Sequence, residues 1–412
     1  MYFIQVFNTQ IKMPKKDLQT ISNILNRGTV QVLVKKDLEK KLLSGKTLNV
    51  KLGIDPTGFD LHIGHMVVIR KLRQFQELGH NILLLFGNFT GQIGDPTGKT
   101  ETRKTLTQAE LETNAKHYLD QVKTILDISK IKVVWNADWL RKLNFADVVQ
   151  QASQFTVAQM LERDMFQDRI KKNEPISVHE FMYPLMQGYD SVALKADIEI
   201  GGTDQTFNLL AGRTLQKAYG QTPQDVITLP ILEGTDGKIK MGKSVNNYIG
   251  VTEPPNEMFG KVMSIPDELI IKYFELATTV DNEEIKKIET QMKEGENPRN
   301  LKVKLAKEIV TLYHSSTAAN RAEKEFVQVF SKKELPTNIE TKELAHHTIN
   351  IVELLSSTGL TSSKSEARRL IEGGGVRIDN EKITSHETSV SIRKEKLLQV
   401  GKRKFLKVIS KI

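Results

Sequence analysis

Two histidines, His62 and His65, and two lysines, Lys240 and Lys243, are the residues of this chain best suited by type and spacing to hold a polyphosphate. The histidines stand in Leu61-His62-Ile63-Gly64-His65, where a strand-like stretch turns into a helix-like one. A helix N-terminus presents unpaired N–H groups and a partial positive potential, so phosphate oxygens settle there. Gly64 has no Cβ and lets a nucleotide approach the backbone closely. At this spacing both imidazoles share the first helical turn and can donate to phosphate oxygens. The same pair could be metal ligands or surface histidines; no third ligand stands near them in sequence, and no metal site is expected. The lysines belong to Lys238-Ile239-Lys240-Met241-Gly242-Lys243-Ser244, after the turn signal Gly234-Thr235-Asp236-Gly237. Alone this is a charged surface loop. Paired with the histidine turn, it can follow the β- and γ-phosphates as charge builds on departing pyrophosphate.

Three further stretches carry polar groups at useful spacing. Gly91-Gln92-Ile93-Gly94-Asp95-Pro96-Thr97-Gly98-Lys99, with Arg103 beyond it, is a Gly-rich loop ending in positive charge. It is a good turn or a phosphate cradle, but its glycine spacing is not that of a Walker A loop. Tyr183, Gln187 and Asp190 fall on one face of a helix whose other residues (Phe181, Met182, Leu185, Met186) are apolar. That stripe reads as a pocket lining or as a wet helix face. Gly201-Gly202-Thr203-Asp204-Gln205 closes a strand and opens a helix, so Asp204 and Gln205 can hold a polar substrate edge or serve as an ordinary cap.

The elements that must position these groups alternate. Residues 47–55 read as a strand, 64–78 as a helix ended by Gly79, and 81–86 as an apolar strand, which is a βαβ unit. Strands at 132–135, 197–200 and 225–229 are separated by helical stretches at 107–126, 177–190 and 204–219. The expected fold is α/β, a Rossmann-like doubly wound parallel sheet with ligands at the carboxyl ends of its strands. The expected domains are 1–253, an N-terminal helical lead-in with the catalytic fold; 254–333, helical; 334–347, a linker; and 348–412, a small α/β module. Residues 1–12 read as dispensable, with Met13 as an alternative start.

Composition narrows the partners. The absence of cysteine rules out disulfides, thiolate metal sites and a cysteine nucleophile, and fits a reducing cytoplasm. The apolar run Ile82–Phe86 is too short to span a bilayer, so no membrane association is expected. Net charge is +9, and thirteen Lys/Arg face six acids between Thr361 and Ile412. A basic tail on a nearly neutral body implies a polyanionic partner, against the plainer reading of a solvated surface.

Taken together, the stretch Gly53-Ile54-Asp55-Pro56-Thr57, His62–His65, Gly94–Gly98, the Tyr183–Gln187–Asp190 helix, Gly201–Gln205 and Lys240–Ser244 resemble the bacterial tyrosyl-tRNA synthetase family over nearly the whole chain. Ser363-Lys364-Ser365-Glu366-Ala367-Arg368-Arg369 and the residues to Val376 resemble the S4-type RNA-binding module. The resemblance implies ATP-driven activation of L-tyrosine and transfer to tRNA(Tyr), a homodimer, and Mg²⁺ carried with ATP. It assigns Thr57, His62, His65, Lys99, Arg103, Lys240 and Lys243 to catalysis. Gly53, Asp55, His62, Gly64, His65, Lys243 and Ser244 would hold ATP. Asp95, Tyr183, Gln187, Asp190, Asp204 and Gln205 would hold tyrosine, with Asp190 accepting from the phenol. Lys364, Arg368, Arg369 and Arg377 would touch RNA. Removing residues 349–412 is expected to weaken tRNA charging and spare adenylate formation. Two positions depart from the family: Gly242 replaces a commoner serine, and Lys51 stands where one branch sets a tyrosine against the substrate phenol. The rival enzymes are the tryptophanyl counterpart, disfavoured by Asp190 and the tail, and a small adenylyltransferase, which would lack the lysine loop. An RNA-binding scaffold would carry decayed motifs, and these are intact.

Overall fold

A computed structural model describes residues 17–96, 106–328, 339–401 and 404–411. They form two compact units, Met1–Glu253 with Ser264–Tyr313, and Pro254–Met263 with His314–Ile412.

The first unit is built on a sheet of β1 (Gln31–Val32), β2 (Asn49–Ile54), β3 (Asn81–Phe86), β4 (Ile131–Trp135), β5 (Ile198–Gly202) and β6 (Asp225–Leu229). Their order is β1-β6-β5-β2-β3-β4, with β1 antiparallel and the rest parallel. Strands run outward from β2 in one direction as β3 and β4, then from β5 in the other as β6. The switch therefore falls between β2 and β5, where a doubly wound sheet opens its ligand crevice. β3 is near-continuously apolar and buried from Ile82 to Phe86, as a strand covered on both faces must be.

Helix α1 (Ile63–Glu77) follows β2 and buries Met66, Val67, Ile69, Leu72 and Phe75 along one stripe. It stops before Gly79, whose φ of +78° is open to glycine at little cost. Helix α2 (Gln108–Val122) is longer than a lone capped turn needs, and Thr107 with Glu110 closes a capping box at its start. Helix α3 (Val178–Leu194) starts on the Ser177–Glu180 capping box and packs on α4 (Thr206–Ala218). A Cβ on Gly188 would meet the Ala211 backbone at 3.0 Å, so glycine is what lets these two helices approach. Short helices at 137–140, 145–152, 157–161 and 164–171 fill a stretch in which the sequence pattern names no element. Helix α5 (Ile270–Ala277) also belongs to this unit.

In the second unit a five-stranded sheet has the order 381–382, 376–378, 396–400, 404–410, 341–344. Helices Ile351–Ser357 and α6 (Lys364–Glu372) close its core of Ile351, Leu354, Leu355, Ala367, Ile371 and Leu398. Residues Thr341–Leu344, expected within a linker, are a strand paired in parallel with Lys407–Ser410. Their alternating Thr-Lys-Glu-Leu is too polar to announce a strand, and pairing with the chain's last strand supplies what the pattern lacks.

Candidate active site

One cleft at the carboxyl ends of β2 and β5 gathers most of the polar groups singled out above. Its lining includes Gly53, Asp55, His62, Gly64, His65, Asp95, Tyr183, Gln187, Asp190, Asp204, Gln205 and Lys240.

His62 is the N-cap of α1 and His65 lies in its first turn, with the two rings stacked at 3.7 Å between centroids. The His62 backbone N–H donates to His65 Nδ1 at 3.3 Å. A neutral His65 therefore carries its proton on Nε2, leaving that nitrogen as a donor. Burial, then the positive charge of Lys240 and Lys243, pushes His65 down to about 4. Burial first, then His65 and the same lysines, brings His62 to about 2. Both rings are therefore neutral at pH 7, each carrying one ring N–H that can donate. Gly64 is crowded from behind, since a Cβ there would lie 3.0 Å from His62 Nδ1.

The lysine loop is anchored at its base and paired at its tip. Lys272 on α5 bridges to Glu233, and Tyr273 donates to the Glu233 carbonyl at 2.7 Å. Buried Asn247 donates to Asp236 Oδ2 at 2.7 Å and accepts from the Gly242 N–H at 2.8 Å. Gly242 thus serves the loop through its backbone, a role that a side chain does not specify. Lys240 Nζ lies 2.5 Å from Asp204 Oδ2, and Lys243 Nζ lies 3.5 Å from Asp60 Oδ2. Asp60 is held in turn by Gln121, whose amide nitrogen donates to its Oδ1 at 3.0 Å.

On the other side of the cleft, Asp55 is a hub. Tyr183 Oη donates to its Oδ2 at 2.8 Å, and Thr90 Oγ1 to its Oδ1 at 2.7 Å. Burial and the Asp55 carboxylate hold the Tyr183 phenol well above its ordinary value, so it stays protonated. Gly87 makes the hub possible: a Cβ there would come within 1.9 Å of Asp55 Oδ1. Asp95 accepts from Gln205 Nε2 at 2.7 Å and faces the buried Arg163 guanidinium at 4.0 Å. Asp190 is 2% exposed and accepts from Trp139 Nε1 at 2.8 Å and from Asn136 Nδ2 at 3.4 Å. Burial raises its carboxyl to about 7 against the opposing pull of Lys51, Trp139 and Asn136. At the floor of the cleft, Glu199 forms an ion pair with Lys51 at 2.9 Å, with 1% and 0% of their side chains exposed.

Other expected residues fall elsewhere. Thr57 sits in the turn after β2, its N–H on the Asp55 carbonyl at 2.8 Å, and does not line the cleft. Lys243 and Ser244 are on the loop beside the cleft, Ser244 exposed. Lys99 and Arg103 lie outside the described residues. Lys364, Arg368 and Arg369 are exposed on α6, Lys364 facing Glu353 at 3.8 Å, and exposed Arg377 donates to the Asn380 carbonyl at 3.0 Å. Among the described residues no three His, Asp or Glu side chains form a metal-binding group. Sequence reading missed Thr90, Asn136, Trp139, Arg163, Glu199, Asp60 and Gln121. None sits in a recognisable string; only the polar Glu199 inside an otherwise apolar strand was a visible signal.

Residues 43–331 match the family model described as tRNA synthetases class I (W and Y), and residues 325–408 match the tyrosine–tRNA ligase SYY-like C-terminal domain. The tyrosine–tRNA ligase of Carboxydothermus hydrogenoformans is 53% identical over 408 residues, covering 96% of this chain and 99% of that protein. That of Thermotoga maritima is 50% identical, covering 93% and 96%. In fold, the chain is similar to a tyrosyl-tRNA synthetase complexed with L-tyrosine from Archaeoglobus fulgidus, with a TM-score of 0.61 at 22% identity, covering 74% of this chain and 100% of that one. By these matches the chain is a class I aminoacyl-tRNA synthetase and belongs to the tyrosine–tRNA ligase family.

Proposed function

We propose that this chain activates L-tyrosine with ATP and then transfers the tyrosyl group to the 3′-terminal adenosine of tRNA(Tyr). The observation that carries the reading is the convergence of His62, His65 and Lys240 with the buried acceptor Asp190 in one cleft.

In the first step a carboxylate oxygen of tyrosine attacks the α-phosphorus, the bond to the bridging oxygen breaks, and pyrophosphate leaves with that electron pair. A carboxylate nucleophile needs no general base, so catalysis is positioning and stabilisation of charge on the phosphates. Neutral His62 and His65 donate at the helix terminus; Lys240 and Lys243 move from Asp204 and Asp60 to the leaving pyrophosphate, joined by Lys99 and Arg103. Gly53, Asp55, Gly64 and Ser244 complete the ATP side. Asp95, Tyr183, Gln187, Asp204 and Gln205 form the polar shell of the amino acid, Asp190 taking the phenolic hydrogen bond. Mg²⁺ comes bound to the triphosphate and neutralises its oxygens. In the second step a ribose hydroxyl of the tRNA attacks the tyrosyl carbonyl, and AMP departs.

The exposed cations Lys364, Arg368, Arg369 and Arg377 support residues 348–412 as the tRNA-binding part. Phe145, Val149, Val157 and Val178 are 82%, 51%, 68% and 74% exposed, apolar surface that supports a homodimer. Among the described residues no helix is long and apolar enough to cross a membrane. A cytoplasmic location fits translation. The test is ATP–pyrophosphate exchange with each amino acid in turn. Exchange should depend on tyrosine; activity with tryptophan and none with tyrosine would overturn the assignment.

A further inference from the structure

Lys51 and Glu199 stand opposite each other in the register of β2 and β5, with Glu199 in the lining of the cleft. Every donor and acceptor of the pair is used. Lys51 Nζ donates to Glu199 Oε1 at 2.9 Å, to Ser191 Oγ at 2.7 Å and to the Gln187 carbonyl at 3.2 Å. Ser191 Oγ passes a hydrogen bond on to Glu199 Oε2 at 3.0 Å, and Gln224 Nε2 donates to the same oxygen. Glu199 Oε1 also accepts from Gln187 Nε2 at 3.3 Å. A carboxylate can only accept, so it must face the NH₂ end of the Gln187 amide. The Gln187 Oε1 is thereby left to the cleft, and no described residue donates to it. The neighbouring turn of α3 is clamped through Ser191 and the Gln187 carbonyl, with Asp190 between them.

We propose that the Lys51–Glu199 pair is a positioning device for the amino-acid site: it turns the Gln187 carbonyl oxygen toward the substrate ammonium and holds Asp190 at the depth of the phenol. With its three hydrogen-bond donors consumed, Lys51 does not touch the phenol as a tyrosine at this place would. The charged groups facing Asp190 are Lys51 from β2 and Glu199 from β5, with the protonated Tyr183 on its own helix; Trp139 and Asn136 are neutral donors. Lys51 favours the ionised, accepting form of Asp190, and Glu199 opposes it more weakly. The inference rests on the tyrosine reading above.

The experiment is tyrosine-dependent ATP–pyrophosphate exchange by the full chain with E199Q, K51M and the double variant K51M/E199L. The last replaces a buried ion pair by apolar groups, an exchange that folds tolerate far better than loss of one partner. E199Q lets the Gln187 amide turn, and KM for tyrosine should rise about tenfold or more while KM for ATP stays put, the size of one hydrogen bond to a charged group. K51M should move the acid limb of kcat/KM for tyrosine to higher pH. K51M/E199L should melt near the parent and still bind tyrosine about tenfold more weakly. A folded K51M/E199L or E199Q with unchanged tyrosine KM and unchanged pH profile would overturn the proposal. Absence of tyrosine-dependent exchange in the parent chain would instead defeat the reading beneath it.

Discussion

The Lys240 ammonium lies 2.5 Å from Asp204 Oδ2, tying the tip of the lysine loop to the turn that follows β5. Lys240 is 60% exposed, and exposed pairs of this kind are worth only about 0–1 kcal/mol. The lysine is therefore held at the cleft at small cost and, in the proposed reaction, can leave Asp204 for pyrophosphate as charge develops there. K240M should slow adenylate formation by roughly 10²–10³-fold, the size of a lost charge-stabilising donor, with KM for tyrosine nearly unchanged. Rapid-quench measurement of tyrosyl-adenylate checks it; equal loss in KM would assign Lys240 to amino-acid binding.

The histidine turn sets a pH dependence of stability. Burial, with the nearby lysines, holds both imidazoles below their ordinary 6.5, His65 at about 4 and His62 at about 2. Below 6.5 the unfolded state takes up protons that the native state refuses, so this contribution is intact above 6.5 and is lost as pH falls. Thermal melts should drop as pH falls from 6.5, the His65 share being lost by about 4 and the His62 share only by about 2, and H65N should flatten part of the slope above 4. A parallel slope in H65N would show that other groups carry it. H62A and H65A should each lower exchange activity, since a neutral donor is lost in both.

Burial raises the Asp190 carboxyl to about 7, and its ionised form is the stronger acceptor for the phenolic hydrogen bond. Tyrosine affinity should weaken as pH falls through 7, while ATP affinity should not follow. D190A removes the acceptor and should reduce kcat/KM for tyrosine by roughly 10- to 100-fold, with a smaller effect on phenylalanine, which has no hydroxyl to lose. Side-by-side exchange assays with the two amino acids decide this.

Gly87 has no freedom to grow. A methyl group there would overlap Asp55 Oδ1 at 1.9 Å and Thr90 Oγ1 at 2.2 Å. G87A should destabilise the fold by about 1–3 kcal/mol, as overpacking does, and should displace the Asp55–Tyr183 bond. A calorimetric melt together with tyrosine KM tests both effects; a wild-type KM would separate the hub from substrate binding.

For the basic tail, K364E/R368E/R369E should weaken tRNA binding and flatten its dependence on salt, because fewer counterions are released. Tyrosine-dependent exchange should remain. Filter binding across a salt series checks it, and an unchanged slope would move the RNA contact elsewhere.

The main strands and helices of the first unit, and the histidine turn and lysine loop as candidate groups, were legible in the chain because their physics is local. β3 and β6 begin and end where the apolar pattern does, and α1 opens at the histidines because a helix terminus is made by consecutive residues. Asp190 could be named from helical spacing alone, since Tyr183, Gln187 and Asp190 recur on one face. Its surroundings could not: Trp139 and Asn136 reach it from some fifty residues away, from a region with no periodic pattern. Lys51 is the sharpest case. By its residue type it belongs on the surface. Burial beside Glu199, 148 residues later, makes it an internal ion pair. Strand register brings those two charges together, and register is set by how distant segments pack; no local pattern encodes it. The sequence alone determined which groups could handle ATP. The tertiary structure decided which are neutral, which are paired, and which way Gln187 turns, because each of these depends on the dielectric and partners that only the folded chain provides.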